Sequence, residues 1–527
     1  MGCARQPHCR IAAALPWADG NTSPTRKRGV GTIPRLRVGL VLKPLVQLLA
    51  AISSAQLCPA PAIHLKLKVI TIDSEFRPGA SAHRFTKSQS EWHWASAHRF
   101  TKSQCECHLA IAIGSGKSRS QTNFLVLKST LKHKIILVAG TRPEAIKLIP
   151  VFRELEKSQS LQPFFLSTGQ HREMLDQVFR AFDFKPNHDM GLMQPGQTLP
   201  DLTARAITAV HQFLAETKPA AMLVQGDTTT VFSAAIAATY ARVPIGHVEA
   251  GLRTYDMNSP FPEEMNRRLT SPLCRWSFAP TERSRDNLIR EFIPSSSVHV
   301  TGNTVIDALL WMRQKVQAQT ESIDQRANRL RIPKAFTDAY LNGTTGNPWI
   351  LVTGHRRESF GSGFESICVA LLRLAQEHPD LGILYPVHLN PNVLEPVTRL
   401  LSGKPRIVLI EPAGYEDFIF LMDACWLILT DSGGVQEEAP SLGKPVLVMR
   451  EATERPEGID AGTCSLVGTD PDKICNEAAR LLNDPTEYSR RARLRNPYGD
   501  GQSSKRIRKI LETSFSATDF MTMRSVR

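Results

Sequence analysis

The fold predicted for this chain is α/β, built as two successive units with a cleft between them. Three observations carry that expectation. From Lys134 onward, short apolar runs alternate with stretches of helical pattern. Many of the runs end in Gly, Asp, Glu or Thr, as buried parallel strands with a ligand-facing edge do. The pattern then restarts at Trp349, which gives a second unit of similar length.

The chain has 527 residues, of which 42% are hydrophobic and 22% charged. That balance excludes collagen-like, coiled-coil and wholly disordered classes. At roughly 150 residues per domain it allows about three domains or fewer. The net charge of +14 would suit a nucleic-acid or membrane-surface protein, but it is unevenly placed. Residues 1–131 hold 18 Lys plus Arg against 5 Asp plus Glu, and residues 132–527 hold 46 against 45. Neither nucleic acid nor membrane is therefore expected as a partner of the main body. Its five cysteines, at 274, 368, 425, 464 and 475, form no CxxC pair. No metal site or disulfide framework is indicated, and a reduced, cytoplasmic setting is expected.

Residues 1–131 read as a disordered basic extension, or as sequence upstream of the true translation start. The decapeptide at 80–89, Ala-Ser-Ala-His-Arg-Phe-Thr-Lys-Ser-Gln, returns unchanged at 95–104. Packed repeats diverge at their surface positions, so identity throughout suggests duplicated DNA. The apolar run Val38–Leu57 is interrupted by Lys43, Pro44 and Gln47 and makes a poor membrane span. It also begins too far from the terminus for a signal peptide.

The expected strands of the first unit are 135–139, 164–167, 221–225 and 244–248. A helix over 304–319 and a polar stretch over 320–347 follow. The second unit offers strands at 349–353, 382–386, 407–410, 426–430 and 445–449. The expected organisation is an N-terminal lobe over 132–302, a C-terminal lobe over 303–495, and a final segment, 496–527.

The strand ends carry the chemistry. After the first strand comes Gly140-Thr-Arg-Pro-Glu-Ala-Ile-Lys147. Thr141 and Glu144 have capping-box spacing, while Arg142 and Lys147 place two cations where a diphosphate can sit. The segment lacks the GxGxxG fingerprint, so no nicotinamide is expected. Asp227, in Gln-Gly-Asp-Thr-Thr-Thr, either caps the next helix or serves chemistry. Glu249, in His-Val-Glu-Ala-Gly, ends another strand, and Glu263 lies where Pro-Phe-Pro-Glu-Glu re-enters a helix. Three carboxylates at one sheet edge suit proton transfer. In the second unit, His355 follows a strand. Thr430-Asp-Ser-Gly-Gly-Val-Gln-Glu-Glu438 lets backbone N–H groups approach a phosphate at a helix start. Glu438 can accept from two ribose hydroxyls, and Arg455 follows a later strand.

Taken in order, GTRPEAIK, QHREMLDQV, MQPGQ, GDTTT, GHVEAGLRT, PEEMNR, TGNTVIDALL, VTGHRRESFG, YPVHLNPNV, LTDSGGVQEEAPSLGKPVLVMR, TERPE and NPYGDGQ resemble the non-hydrolysing UDP-N-acetylglucosamine 2-epimerases. The likeness runs from Lys134 to about Ile510. It implies two Rossmann-like lobes of the glycosyltransferase-B type with the active site in the cleft between them. It also implies a homodimer, and a final helix, here over 503–514, that crosses back to the first lobe. The implied reaction interconverts UDP-GlcNAc and UDP-ManNAc without a cofactor, by elimination of UDP to a 2-acetamidoglucal and re-addition, and feeds surface polysaccharide synthesis.

The resemblance makes Asp227, Glu249 and Glu263 the catalytic carboxylates, without fixing which removes and which returns the proton. It makes His355 a catalytic histidine beside the departing diphosphate. Arg142 and Lys147 fall near phosphates and sugar, and Ser432, Gly433 and Gly434 form the diphosphate cradle. Glu438 becomes the ribose ligand, Phe418 lies in the uracil region, and Arg455 faces sugar or phosphate. Gln170, His171, Arg172 and His388 are compatible with a regulatory nucleotide-sugar site. Glu173 stands where some regulated members have glutamine, so regulation stays open.

Overall fold

The computed structural model describes residues 66–70, 108–113, 123–128, 132–170, 172–194, 196–343 and 346–524. Apart from Lys66, these lie in one compact unit, Leu67–Arg527. The run Val38–Leu57, both copies of the decapeptide, and His171 fall outside the described residues. Within the N-terminal segment, β1 (Lys66–Ile70), β2 (His108–Ile113) and β3 (Asn123–Lys128) form a small sheet in the order β1-β3-β2. The sequence reading did not single out these strands.

The first lobe is a seven-stranded sheet whose pairings are all parallel. In chain order its strands are β4 (His133–Ala139), β5 (Leu161–Ser167), β6 (His188–Asp189), β7 (Ala221–Gln225), β8 (Ile245–Val248), β9 (Trp276–Ala279) and β10 (Val298–Val300). In space they run β10-β9-β8-β7-β4-β5-β6. The chain lays down β4, β5 and β6 outward on one side, then returns to place β7 to β10 on the other. The switch point therefore lies between β4 and β7, where Ile135 faces Ala221 and Leu137 faces Leu223. At such a point the connections after neighbouring strands run to opposite faces of the sheet, which is where ligands bind in folds of this kind.

The second lobe repeats the plan with six parallel strands: β11 (Trp349–Thr353), β12 (Gly382–Pro386), β13 (Ile407–Ile410), β14 (Leu427–Thr430), β15 (Val446–Val448) and β16 (Cys464–Leu466). Their order is β13-β12-β11-β14-β15-β16, so this switch point falls between β11 and β14. Central strands such as β7 and β14 are buried along their whole length, which is why their sequences are apolar without alternation.

Three features depart from the sequence reading. The stretch 320–347 is partly helical: Ser322 caps the helix Ile323–Arg329 by accepting from the Gln325 N–H. The short strands β6, β9, β10 and β16 lacked a readable apolar run. The final helix extends from Ser503 to Arg524.

That helix packs against the first-lobe helix Arg142–Glu156. Trp276 Nε1 donates to Ser514 Oγ at 3.1 Å, and the His133 ring stacks on Phe515 with centroids 4.6 Å apart. The helix Thr304–Gln317 packs against both Arg142–Glu156 and the second-lobe helix Tyr415–Ala424. As a result Leu137, Ile149, Leu309, Met312, Ile419 and Leu511 share one buried cluster. Burying apolar surface in a single core of this kind fixes the two switch points relative to each other. No described helix is long and apolar enough to cross a membrane.

Candidate active site

At the first switch point β4 ends at Ala139, and Gly140 turns the chain into the helix Arg142–Glu156. A Cβ at Gly140 would collide with the Thr168 and Thr230 hydroxyls, so only glycine fits there. Glu144 folds back from the first helical turn. Its carboxylate accepts from the N–H groups of Gly140 and Thr141, the latter at 3.0 Å, and from the Thr228 hydroxyl. Burial outweighs these bonds and pushes its pKa up to about 7.

After β7, the cap of the helix Thr229–Tyr240 is Thr228, whose hydroxyl accepts from the Val231 N–H. This corrects the capping alternative for Asp227. Its carboxylate instead takes the Arg267 guanidinium at 2.8 Å, and its backbone carbonyl accepts from Asn266 Nδ2 at 2.8 Å. Arg267 also holds the buried carboxylate of Glu264 at 3.0 Å. Burial raises the Asp227 pKa, Arg267 and Lys147 lower it, and the charges of Glu249 and Glu263 raise it. Those mutual effects place the three expected carboxylates within electrostatic reach of one another. Glu263 opens the helix Glu263–Thr270 and is half-buried, whereas its neighbour Glu264 is the fully buried one.

Glu249 follows β8 with a φ of +65°, a left-handed conformation uncommon for a residue bearing a side chain. Such backbones persist where surrounding contacts over-determine them. Here Lys147 Nζ donates to both carboxylate oxygens, at 2.7 and 2.6 Å. Gln225 Nε2 donates to one oxygen, and Asn303 Nδ2 donates to the other at 2.9 Å. Burial alone would raise this carboxyl. The Lys147 ammonium, with Arg455 and Asn303, holds it below its ordinary value.

At the second switch point, Asp431 orients the loop that bears His355. One Asp431 oxygen accepts from the His355 and Arg356 N–H groups, both at 2.7 Å, and the other lies 3.3 Å from His355 Nδ1. Partial burial lowers the His355 pKa, aided by nearby Arg356, His388 and Arg450 and opposed by Asp431. His388 stacks on His355 with centroids 5.7 Å apart.

Ser432 precedes the helix Gly433–Glu438. A Cβ on Gly433 would press on the Arg455 guanidinium at 3.0 Å, whereas one on Gly434 would meet only distant atoms. Arg455 Nε donates to Glu437 at 2.8 Å. Glu438 is buried and accepts from Tyr415 Oη at 3.2 Å, and burial pushes its pKa up to about 7. Arg142 is half-buried, and its charge reaches Glu438.

The two switch points meet through Asn303, which donates to Glu249 of the first lobe and, at 2.9 Å, to Glu437 of the second. The structure thus brings Lys147, Glu249 and Arg455 into one chain of contacts, with Asp227 beside it. Lys147 is paired with Glu249. Phe418 packs, half-buried, against the apolar core on the same helix as Tyr415. Gln170 accepts from the Thr230 hydroxyl at 2.8 Å, and Arg172 opens the helix Arg172–Ala181. Gln225, Arg267, Asn303, Asp431 and Glu437 were not singled out from sequence. Asn303 stands at the expected lobe boundary, and Glu437 stands beside the expected ribose ligand Glu438. Among the described residues no His, Cys, Asp and Glu group has a metal-holding arrangement.

A family model described as UDP-N-acetylglucosamine 2-epimerase matches residues 153–512. A UDP-N-acetylglucosamine 2-epimerase of Yersinia pestis is 54% identical over 379 residues, covering 72% of this chain and 98% of its own. The corresponding protein of Escherichia coli strain K12 is 52% identical over 381 residues, covering 72% and 99%. Among solved structures, the UDP-GlcNAc 2-epimerase of Neisseria meningitidis bound to UDP-GlcNAc matches with a TM-score of 0.64 at 47% identity, covering 72% and 100%. The Methanocaldococcus jannaschii enzyme in complex with UDP-GlcNAc and UDP matches at 0.58 and 32%, covering 72% and 99%. With the family model spanning most of the chain and relatives above half identity along nearly their full length, this chain belongs to the UDP-N-acetylglucosamine 2-epimerase family.

Proposed function

We propose that the chain interconverts UDP-GlcNAc and UDP-ManNAc by eliminating UDP and adding it back. The C2 proton of the sugar lies next to no carbonyl and is not acidic, so simple deprotonation is difficult. Elimination avoids that difficulty. A carboxylate takes the C2 proton, the C–H electron pair becomes the C1=C2 bond, and UDP leaves with the C1–O pair. In the second half a second group supplies a proton to the opposite face of C2, the C1=C2 pair forms the new C–H bond, and a UDP oxygen closes on C1.

The observation that carries this reading is the contrast between Asp227 and Glu249. They sit at the ends of adjacent strands, one raised and one lowered in pKa. A reversible inversion needs one group to accept a proton and another to supply it, and two carboxyls with proton affinities pushed apart can take these two roles. Glu263 adds a third carboxylate within reach. His355, oriented by Asp431, is suited to the departing diphosphate. The N–H groups of Gly433 and Gly434, which follow Ser432 at the helix start, with Arg142 and Arg455, are suited to the charge that develops on it. Glu438 is suited to the ribose, and Phe418 belongs to the uracil end. The same reading carries a cytoplasmic homodimer whose product feeds surface polysaccharide synthesis, and leaves Gln170, Arg172 and His388 to regulation.

The test is the full chain with UDP-GlcNAc in D2O, followed by proton NMR. The expected outcome is a mixture of both sugar nucleotides with deuterium at C2. Oxygen-18 placed in the C1–O–P bridge should scramble into the non-bridging positions of the adjacent phosphate. Free ManNAc with UDP would replace this reading by hydrolysis. A result with neither deuterium at C2 nor scrambled oxygen would overturn the reading.

A further inference from the structure

Asn303 lies between the last first-lobe strand, β10, and the helix Thr304–Gln317, and is almost wholly buried. Its side chain is fully engaged. Oδ1 accepts from the Val305 N–H at 3.1 Å and so caps the helix. That bond fixes which end of the amide faces the carboxylates, because the flipped amide would turn its oxygen toward two anions. Nδ2 then directs one hydrogen to Glu249 Oε1 and the other to Glu437 Oε2, both at 2.9 Å. The Asn303 backbone N–H donates to the Tyr498 carbonyl at 2.7 Å, which pins the residue from the returning chain. Glu437 is anchored in turn by Arg455.

A side chain at this position must cap a helix and also donate to two carboxylates from different lobes. Serine and aspartate can cap, but serine is too short to bridge, and aspartate has no hydrogen to donate at neutral pH. We propose that Asn303 is a positioning residue for the epimerisation: it aims the Glu249 carboxylate, with Glu437 as its anchor. This rests on the role proposed for Glu249 above. The charged and titratable groups acting on that carboxylate are Lys147 from the helix Arg142–Glu156, Asp227 after β7, His247 on β8, Glu437 from the helix Gly433–Glu438, and Arg455. Asn303 adds a neutral donor, and removing it should raise the carboxyl with every charge left in place.

The experiment uses full-length Asn303→Ser and Asn303→Asp. Serine keeps the cap and removes the bridge. Aspartate keeps the shape and sets a third carboxylate against the other two. For the serine variant we expect kcat about tenfold lower, as for loss of a hydrogen bond to a charged group, with KM within about threefold. The acid limb of the kcat profile should move to higher pH, and further in the aspartate variant. Carbon-13 NMR of glutamate-labelled chain would follow the Glu249 carboxyl directly, its resonance identified by its loss in Glu249→Gln. That titration should move up in the same order, and it requires no turnover. If it moves although the unaltered chain fails to epimerise, the reaction assignment falls, and what stands is that Asn303 holds the Glu249 carboxylate. An unmoved acid limb and an unmoved carboxyl titration in both variants would overturn the inference, whatever happens to the rate.

Discussion

Glu249 and Asp227 end neighbouring strands, β8 and β7, and burial raises the cost of ionising both. They nevertheless come out on opposite sides of the ordinary carboxylate value. Glu249 collects an ammonium on both oxygens and two amide donors. Asp227 has one guanidinium, shared with Glu264, and feels the negative charges of Glu249 and Glu263. The strand end therefore supplies the place, and the donors brought by other elements set the proton affinity.

The largest expected effects come from neutralising each acid. Glu249→Gln and Asp227→Asn should each lower kcat by about 1000-fold, the scale of lost general acid–base catalysis. Their stability costs should differ. Glu249→Gln strands the Lys147 ammonium in a buried site and should cost about 3–5 kcal/mol. Asp227→Asn leaves Arg267 on Glu264 and should cost about 1 kcal/mol. Urea midpoints at neutral pH measure the difference, and equal losses would break the comparison.

Lys147→Met reaches the same contrast from the other side. It should raise the Glu249 carboxyl and move the acid limb of kcat to higher pH. Turnover should fall about 100-fold, on the scale of a lost buried ion pair. An unmoved limb would mean that Lys147 does not hold Glu249 ionised during turnover.

Much of this arrangement was legible from residues alone. The buried strands announced themselves as uninterrupted apolar runs, and the strand ends carried Asp227, Glu249, His355 and the glycine pair. The supporting residues were not legible, for a physical reason. Asn303, Gln225 and Glu437 act through partners as far as 134 positions away in the chain, so no local spacing points to them. Glu264 illustrates the same limit. Its sequence context hardly differs from that of Glu263, yet it is the one buried beneath the Thr254 and Tyr255 N–H groups. Thr228 rather than Asp227 became the helix cap because Asp227 had a stronger partner in Arg267. Strands such as β10 and β16, three residues each with a polar centre, gave too little pattern to read.

Glu144 and Glu438 extend the contrast to pH. Each is raised from an ordinary value of 4.5 to about 7. Between those values the folded chain keeps a proton that the unfolded chain has lost, so that part of the stability is full below the lower value and disappears as pH rises through the upper one. Glu144→Gln removes the titration. Its melting temperature should improve relative to the parent as pH rises from about 4.5 to 7.5. Glu249, lowered rather than raised, should tilt the other way, with its stabilisation lost as pH falls through its own depressed value. Parallel slopes for Glu144→Gln and the parent would show that Glu144 does not carry the raised titration.

The smallest effect concerns the bond from Tyr415 to Glu438. That hydroxyl lowers the proton affinity of a carboxyl which burial has already raised, so Tyr415→Phe should raise it further and leave Glu438 more fully protonated at neutral pH. A neutral carboxyl still has one donor and a carbonyl acceptor to offer a ribose diol. The loss should therefore be that of one ordinary hydrogen bond, about 1 kcal/mol, read as a rise in KM for UDP-GlcNAc of about fivefold with kcat unchanged. A fall in kcat instead would tie Tyr415 to the chemical step. The contrast between Asp227 and Glu249 would then need redrawing, because a carboxyl assigned to binding would be acting with them.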